Sequence, residues 1–515
     1  MTTRILKVML WGREVGRLCM DPRRKRPYFE YNRDWVETGL DISPLDASIK
    51  LPQNLRPIYG ASEKIYQNLP PFLADSLPDA WGNELFEQWR SQQGVKMGEI
   101  TPLDKLAFIG RRAMGALEFL PETSHFSSEE NINLKALIEL ADKIYMQREN
   151  AHIDPDQSLT MQALMAVGTS AGGRQPKAII AIHRETGEIR SGQVDELTGF
   201  DYCILKFGTK ERSTAELELT YYEMATKAGI KMMPCWMMDV EGERHFVTKR
   251  FDRDGEKKLH LQTLAALYPK ADSYERLLWV CRKMRLSELD CEEVFRRMVF
   301  NILANNTDDH YKNFSFIMDE QGRWRLSPAY DMTYIFNTGG FLPETQHCLM
   351  IRGKYTGITL EDVRELAAEN GIRKAESIIR EVADAVSEFR PIAERNSVLG
   401  QWISAVENTL AHNLEDWGLG KAAVVVGYVD ISGHSIENAR VELQYKGNYH
   451  LLATIDGKAL KYIIRKGTPE HEEITENGLS KLKEERIKEL VEQFLLPKVE
   501  MGMTAPIRSE KRVKL

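Results

Sequence analysis

The six cysteines of this sequence (Cys19, Cys203, Cys235, Cys281, Cys291 and Cys348) are scattered and form no C-x-x-C pair. That spacing excludes a disulfide framework and a cysteine-based zinc site, and suits a reducing compartment. Nowhere does an uncharged run of 18 residues occur, which is about the length a membrane-crossing helix requires. The opening MTTRILKVMLWGREVG also lacks an apolar stretch of signal-peptide length, so the expectation is a cytoplasmic protein with no membrane partner. Positive charge is not in excess: 69 Lys and Arg stand against 76 Asp and Glu, a net charge of −7. A general polyanion binder is thereby excluded, and only a local basic patch is left open. No repeat period, low-complexity tract or helix-turn-helix is evident, and neither G-x-x-x-x-G-K-[ST] nor G-x-G-x-x-G occurs.

What is present is a chain of 515 residues, 43% hydrophobic and 28% charged, long enough for several globular units. Residues 4–31 read as paired strands. The segment from Pro70 to about Arg90 turns helical, with Asp79 as N-cap and Leu85, Phe86 and Trp89 on one face. LDKLAFIGRRAMGALEFLPE predicts a helix, a glycine turn and a strand, and TSHFSSEENIN predicts a linker. A second unit carries a helix (LKALIELADKIYMQ), a glycine-rich turn, and the strands AIIAI, DYCILKF and HFVTKRF, with a helix near 216–229. Residues 274–416 read as mostly helical around one hairpin, closed by EDWGLG. AVVVGYVDI, ARVELQYKG and YHLLATI then read as strands and LSKLKEERIKELVEQFLLP as an amphipathic helix. The expected units are 1–125, 126–256, 257–420 and an appended small α+β domain, 421–515.

The most informative text is NNTDDHYKNFSFIMDEQGRWRLSPAYDM (305–332). Asp308 precedes Asn313 by five residues, the separation of base and metal-binding Asn in the kinase motif H-R-D-x-x-x-x-N. Phosphoryl transfer needs a carboxylate for the acceptor hydroxyl, with an amide oxygen and a second carboxylate for magnesium. If 313–319 and 323–328 form a hairpin in which Asp319 faces Arg323, Asn313 falls opposite Ala329, two residues short of Asp331. A lone D-x-x-x-x-N is far more often a helix-capping loop; the second Asp at the hairpin mouth is what turns the reading toward function.

Upstream, GTSAGGRQPKAIIAI (168–182) is a glycine-rich turn running into a strand, whose N–H groups suit phosphate oxygens. Lys206 in DYCILKF has the setting of a strand lysine that pairs nucleotide phosphates. Glu216, Glu218 or Glu223 on the following helix could hold it, and spacing does not choose among them. Taken singly, the turn reads as a plain hairpin and Lys206 as a solvated strand-edge lysine.

Over about 420 residues, in register, these strings resemble the HipA family of toxin serine/threonine kinases. NLPPFLADSLPD and LDKLAFIGRRAMGALEFLPE resemble its N-terminal subdomain, GTSAGGRQPKA its phosphate loop, ILKF its lysine strand, VTKRFDR its hinge, and TDDHYKNFSF with LSPAYDM its catalytic and metal-binding segments. The resemblance implies an α+β, two-lobed protein-kinase-like fold with a β-rich N-terminal subdomain and a mostly helical C-lobe. It implies Asp308 as the catalytic residue, Asn313 and Asp331 as magnesium ligands, and ATP contacts from Gly172, Gly173, Arg174, Gln175, Lys177 and Lys206. Lys249, Arg250 and Phe251 match the adenine hinge, and His310, Tyr311 and Lys312, with Asn313 and Asp331, the rest of the nucleotide site. Ser170 matches a serine that autophosphorylates and shuts the enzyme off. The implied cofactors are ATP and Mg2+. The implied partners are a protein substrate, in the family often an aminoacyl-tRNA synthetase, and a separate helix-turn-helix antitoxin through which DNA is bound.

The chain departs from the family in places. Asp309 stands where many relatives carry Gly, so it competes with Asp308 as proton acceptor; the five-residue spacing favours Asp308 and makes replacement of Asp309 the milder change. Arg174 and Pro176 stiffen the phosphate loop, and residues from about 421 have no family counterpart. The competing readings are a degraded kinase that binds without turnover, and a lipid or small-molecule kinase on a similar fold.

Overall fold

The structure is a computed structural model. It describes residues 3–92, 94–95, 99–123, 133–146, 175–193, 197–336 and 344–419, and the strands of 424–464 without their turns.

The alternating burial of Ile5–Leu10 places Leu6, Val8 and Leu10 on one face, as a strand with a single apolar side requires. It is the fourth strand of a five-stranded antiparallel sheet ordered Ile58–Tyr59, Arg26–Tyr31, Arg13–Asp21, Ile5–Leu10, Leu117–Leu120. Helices Ala80–Gln92 and Pro102–Ile109 accompany it. The first begins where Asp79 accepts from the Gly82 N–H at 2.6 Å, so the expected N-cap holds. The second carries a full capping box between Thr101 and Asp104.

A second antiparallel sheet follows in the order Ile189–Ser191, Lys177–His183, Phe200–Lys206, Glu243–Lys249, Cys235–Val240, with helix Thr214–Lys227 packed on it. Its strand Lys177–His183 is a near-continuous apolar run, buried over Lys177 to Ala181. Ala178, Ile180, Cys203, Leu205 and Val247 share one core with the first sheet and its helices, so these two units are fused along a single interior.

The helical lobe is built on a second core, formed by Tyr274–Lys283, Glu288–Leu303 and the later helices Leu360–Glu369, Ala375–Val386, Phe389–Arg395 and Gly400–Asp416, which helix Thr214–Lys227 joins through Leu217, Tyr221 and Met224. A three-stranded sheet, His260–Thr263, Ser315–Met318 and Trp324–Leu326, lies beside it. Its hairpin pairs Phe316 with Leu326 and Met318 with Trp324. Asp319 donates its N–H to Arg323, which is the register expected from the sequence. Gly418, with φ of +66°, ends the last helix as glycine at that position should.

Beyond it, Val424–Ile431, His434–Gln444, Asn448–Ile455 and Lys458–Ile464 form a four-stranded antiparallel meander. The fourth strand was not anticipated from the sequence. The amphipathic helix expected near 479–497 lies outside the described residues. Among the described residues no helix is long and apolar enough to cross a membrane.

Candidate active site

One cavity of about 780 Å³ lies where the three units meet. The second sheet contributes Lys177, Lys206 and Thr248. The helical lobe contributes Asp308, His310, Lys312, Asn313 and Asp331. The N-terminal unit contributes Lys64, Gln67, Asp75, Asp79 and Asn83.

At its centre Lys206 donates to the carboxylates of both Glu218 and Asp331. Helix Thr214–Lys227 buries Glu218 against the sheet, which decides among the three acids the sequence left open. Glu223 instead pairs with Arg395 on the outer surface. Burial works against charge on Lys206, yet the two carboxylates hold its pKa well above the ordinary lysine value. For Glu218 burial wins and its carboxyl is raised; for Asp331 burial raises but Lys206 and Lys177 outweigh it and the carboxyl is lowered. Lys206 is thus held between two carboxylates, Glu218 from the helix and Asp331 from the hairpin mouth.

Asp331 sits in left-handed backbone, φ +53°, a conformation Asp tolerates and most side chains resist. Its position is fixed from both sides. Ala329 donates to the Lys231 carbonyl at 2.8 Å, and the Tyr330 hydroxyl donates to the Lys312 carbonyl at 2.7 Å. Across the hairpin mouth, Asn313 donates its side-chain N–H to the Asp308 carbonyl at 2.7 Å. That bond leaves the amide oxygen as the ligating end. An amide oxygen and an ionised carboxylate fit magnesium, which takes one or two protein oxygens when phosphates supply others.

Asp308 and Asp309 have opposite surroundings. The Asp308 side chain is 53% exposed and 3.7 Å from His310 Nε2. Asp309 is 1% exposed and accepts from the Tyr274 hydroxyl at 2.7 Å, His347 Nδ1 at 2.9 Å and the Cys348 N–H at 2.7 Å. Of the two, only Asp308 lines the cavity. Replacing Asp309 would leave the Tyr274 hydroxyl, the His347 ring and the Cys348 N–H without this acceptor.

Lys177 is the Cα partner of Lys206 on the neighbouring strand and lies 3.6 Å from Asp79. Burial lifts the Asp79 carboxyl to about 6, with Lys177 pulling the other way. Asp75 is held by the Thr263 N–H at 2.7 Å and hydroxyl at 2.8 Å. Asp75 and Asp79 were not anticipated as cavity residues; the local signal marked Asp79 only as a helix cap.

Several expected contacts stand apart. Gln175 donates to the Phe207 carbonyl at 2.9 Å and, like Tyr311, does not line the cavity. Tyr311 packs instead on the core of the helical lobe. Lys249, Arg250 and Phe251 do line the cavity. The Arg250 guanidinium, however, is fully enclosed in a two-bonded pair with Asp252 (2.8 and 2.7 Å), so what the position offers a ligand is backbone. Lys249 turns its ammonium to Asp201 at 2.9 Å. Ser170, Gly172, Gly173 and Arg174 lie outside the described residues.

Comparison with known proteins agrees with this architecture. The chain is similar to the curated "Putative kinase" of Haemophilus influenzae, 25% identical over 222 residues, covering 38% of this chain and 63% of that relative. It is also similar to "Putative kinase Y4dM" of Sinorhizobium fredii, 23% identical over 346 residues, covering 64% of this chain and 76% of the relative. Among solved structures, HipA of Shewanella oneidensis, determined with HipB and operator DNA, superposes with a TM-score of 0.57 at 17% identity, covering 80% of this chain and 97% of that one. The model of the HipA N-terminal domain matches residues 6–120, and that of the HipA-like C-terminal domain matches residues 169–389. With both domain models matched in order, and with the two-lobed α+β fold built around one shared cavity, the chain belongs to the HipA family.

Proposed function

We propose that this protein is an ATP- and magnesium-dependent serine/threonine protein kinase, the toxin of a toxin–antitoxin pair. The observation that carries the reading is the convergence on one cavity of Lys206, bonded to Glu218 and Asp331, with Asp308 and Asn313. Such an arrangement positions phosphates and acceptor, and positioning with charge stabilisation supplies nearly all of phosphoryl-transfer catalysis.

In this reading Lys206, fixed by Glu218, presents its ammonium to nucleotide phosphates, and Lys177 adds a second cation beside it. Asn313 and Asp331 hold magnesium, which when bound neutralises charge on the phosphate oxygens. Asp308 orients the acceptor hydroxyl and takes its proton, the role its exposure permits. Gly172, Gly173 and Arg174 close on the phosphates, and phosphorylation of Ser170 in that loop silences the enzyme.

The partner proposed is a small helix-turn-helix antitoxin on a separate chain, with DNA bound through the complex. The substrate class is a translation-related protein such as an aminoacyl-tRNA synthetase, and the location cytoplasmic. The purified protein should be incubated with γ-labelled ATP, magnesium and a cell lysate, followed by phosphosite mapping. Label on Ser or Thr of a protein, absent with Asp308→Gln, supports the proposal. Label confined to lipid or small molecules supports the second kinase reading instead, and nucleotide binding without any transfer supports the degraded one.

A further inference from the structure

Asp308, the residue proposed to meet the acceptor, is exposed, and exposed loop residues are ordinarily mobile. Yet Asn306 and Asp309, on either side of it, are buried and bonded into the helical lobe. Asn306, two residues before it, is 3% exposed and donates to the Asn301 side-chain oxygen at 2.9 Å. Asn301, on helix Glu288–Leu303, donates to the Tyr274 hydroxyl at 2.9 Å. Tyr274, on helix Tyr274–Lys283, donates in turn to Asp309, one residue after Asp308. The circuit Asn306–Asn301–Tyr274–Asp309 therefore leaves the loop on one side of Asp308 and returns on the other.

The Asp309 carboxylate is the closing link, and it carries two further donors, the His347 ring and the Cys348 N–H. These belong to the segment that follows Asp331 in the chain. A fully buried carboxylate is tolerable only because every one of these donors is in place. Together with the bond from Asn313 to the Asp308 carbonyl, the circuit leaves Asp308 with a fixed backbone and a side chain pointing out of it.

We infer that Asp309 and His347 are positioning residues: they lock the loop so that Asp308 is held where an acceptor hydroxyl must be met. The inference rests on the kinase reading above. Asp309 touches neither nucleotide nor acceptor; it acts through its neighbour. A misplacement of about 1 Å is enough to cost on the order of 100-fold in rate, so loosening the clamp should be seen in turnover.

The test compares wild type, Asp309→Asn, His347→Ala and His347→Asn, using phosphate transfer to a mapped acceptor, or to the protein itself, with ATP affinity measured separately by calorimetry. Asn at 347 keeps an N–H donor near the place of the ring Nδ1, whereas Ala removes it. The expected result is a fall in kcat of about 10- to 100-fold for Asp309→Asn and His347→Ala. ATP Kd and the KM for ATP should stay within about twofold, and His347→Asn should recover most of the rate. A purely structural role would give no such split, since partial unfolding removes ATP binding and turnover together.

If Asp309→Asn does not fold, the His347 pair carries the test alone. Unchanged kcat in His347→Ala, or an equal loss in His347→Ala and His347→Asn, overturns the inference. Wild-type protein that binds ATP but transfers phosphate to nothing overturns the kinase reading itself, which is a distinguishable outcome.

Discussion

Lys206 and Asp331 lie 125 residues apart in the chain and share an ion pair at the centre of the cavity, where the sheet strand Phe200–Lys206 meets the mouth of the hairpin from the helical lobe. Each keeps the other charged against the cost of burial. The pair also joins the sheet wall of the cavity to the wall from the helical lobe, so separate substitutions can address each.

Asp331→Ala should leave the protein folded and reduce magnesium-dependent ATP turnover by about 100-fold or more, because it removes the one full carboxylate at the hairpin mouth. Asp331→Asn, which keeps a side chain suited to the left-handed backbone, should lose turnover similarly while unfolding at a temperature nearer that of wild type. Thermal unfolding and ATPase assays on the two proteins check this, and wild-type turnover in either one defeats the metal assignment.

Asp308→Gln should retain ATP affinity within about twofold and lower transfer by roughly 100- to 10,000-fold, since the lost group serves the acceptor hydroxyl rather than the nucleotide. Calorimetry and a transfer assay on the same preparation separate the two quantities. Loss of ATP binding with transfer in proportion would show that Asp308 belongs to the nucleotide site.

Acid should destabilise the protein partly through His260. This ring is buried, stacks edge-on with Trp324 and bonds the Ile42 carbonyl at 3.0 Å, and burial lowers its pKa to about 4. Because the folded-state value lies below the unfolded one, the unfolded chain binds the extra proton first. Stability is intact above about pH 6.5 and is lost as pH falls from there toward 4. The loss between pH 7 and 5 is about 2 kcal/mol for this group. His260→Gln, which can still donate to Ile42, should show a shallower fall in denaturant midpoint over that range. An identical pH dependence in the two proteins would remove His260 from the account.

A chain stopped at Gly420 should fold and bind ATP as the full protein does. Every proposed site residue precedes that point, and the helix Gly400–Asp416 ends in a glycine of positive φ. Soluble yield, thermal unfolding and ATP affinity of the shortened chain decide it. Failure to fold would mean that the meander of 424–464 completes the helical lobe.

Ser170 should become phosphorylated in active protein and remain unmodified in Asp308→Gln. A phosphate there brings roughly −1.5 to −2 charge beside groups proposed to bind another anion, so ATP affinity should fall on modification. Intact-mass and peptide analysis after prolonged incubation with ATP and magnesium gives the answer. An active enzyme whose Ser170 stays bare refutes self-silencing by this route.

Local text determined much of this protein. The spacing from Asp308 to Asn313, the turn at Glu320–Gln321–Gly322 and the alternation on either side were enough to set the hairpin register, because cross-strand pairing follows from turn position. Asp79 was legible as a helix cap, and Lys206 as a strand residue, for the same reason: both depend on neighbours a few places away.

What only the tertiary structure decided were the relationships across long separations. Helix Thr214–Lys227 offers three acids, and its packing against the sheet alone picks Glu218 and sends Glu223 to the surface. Asp308 and Asp309 are adjacent and chemically identical in the sequence. Their roles divide because Tyr274, 35 residues away, and His347, 38 residues away, converge on one of them and leave the other facing the cavity. Asp75 and Asp79 enter the cavity wall only because the N-terminal unit shares a core with the second sheet. Burial and charge pairing are properties of assembled surfaces, and no spacing rule within one segment encodes which distant donors will meet a given carboxylate.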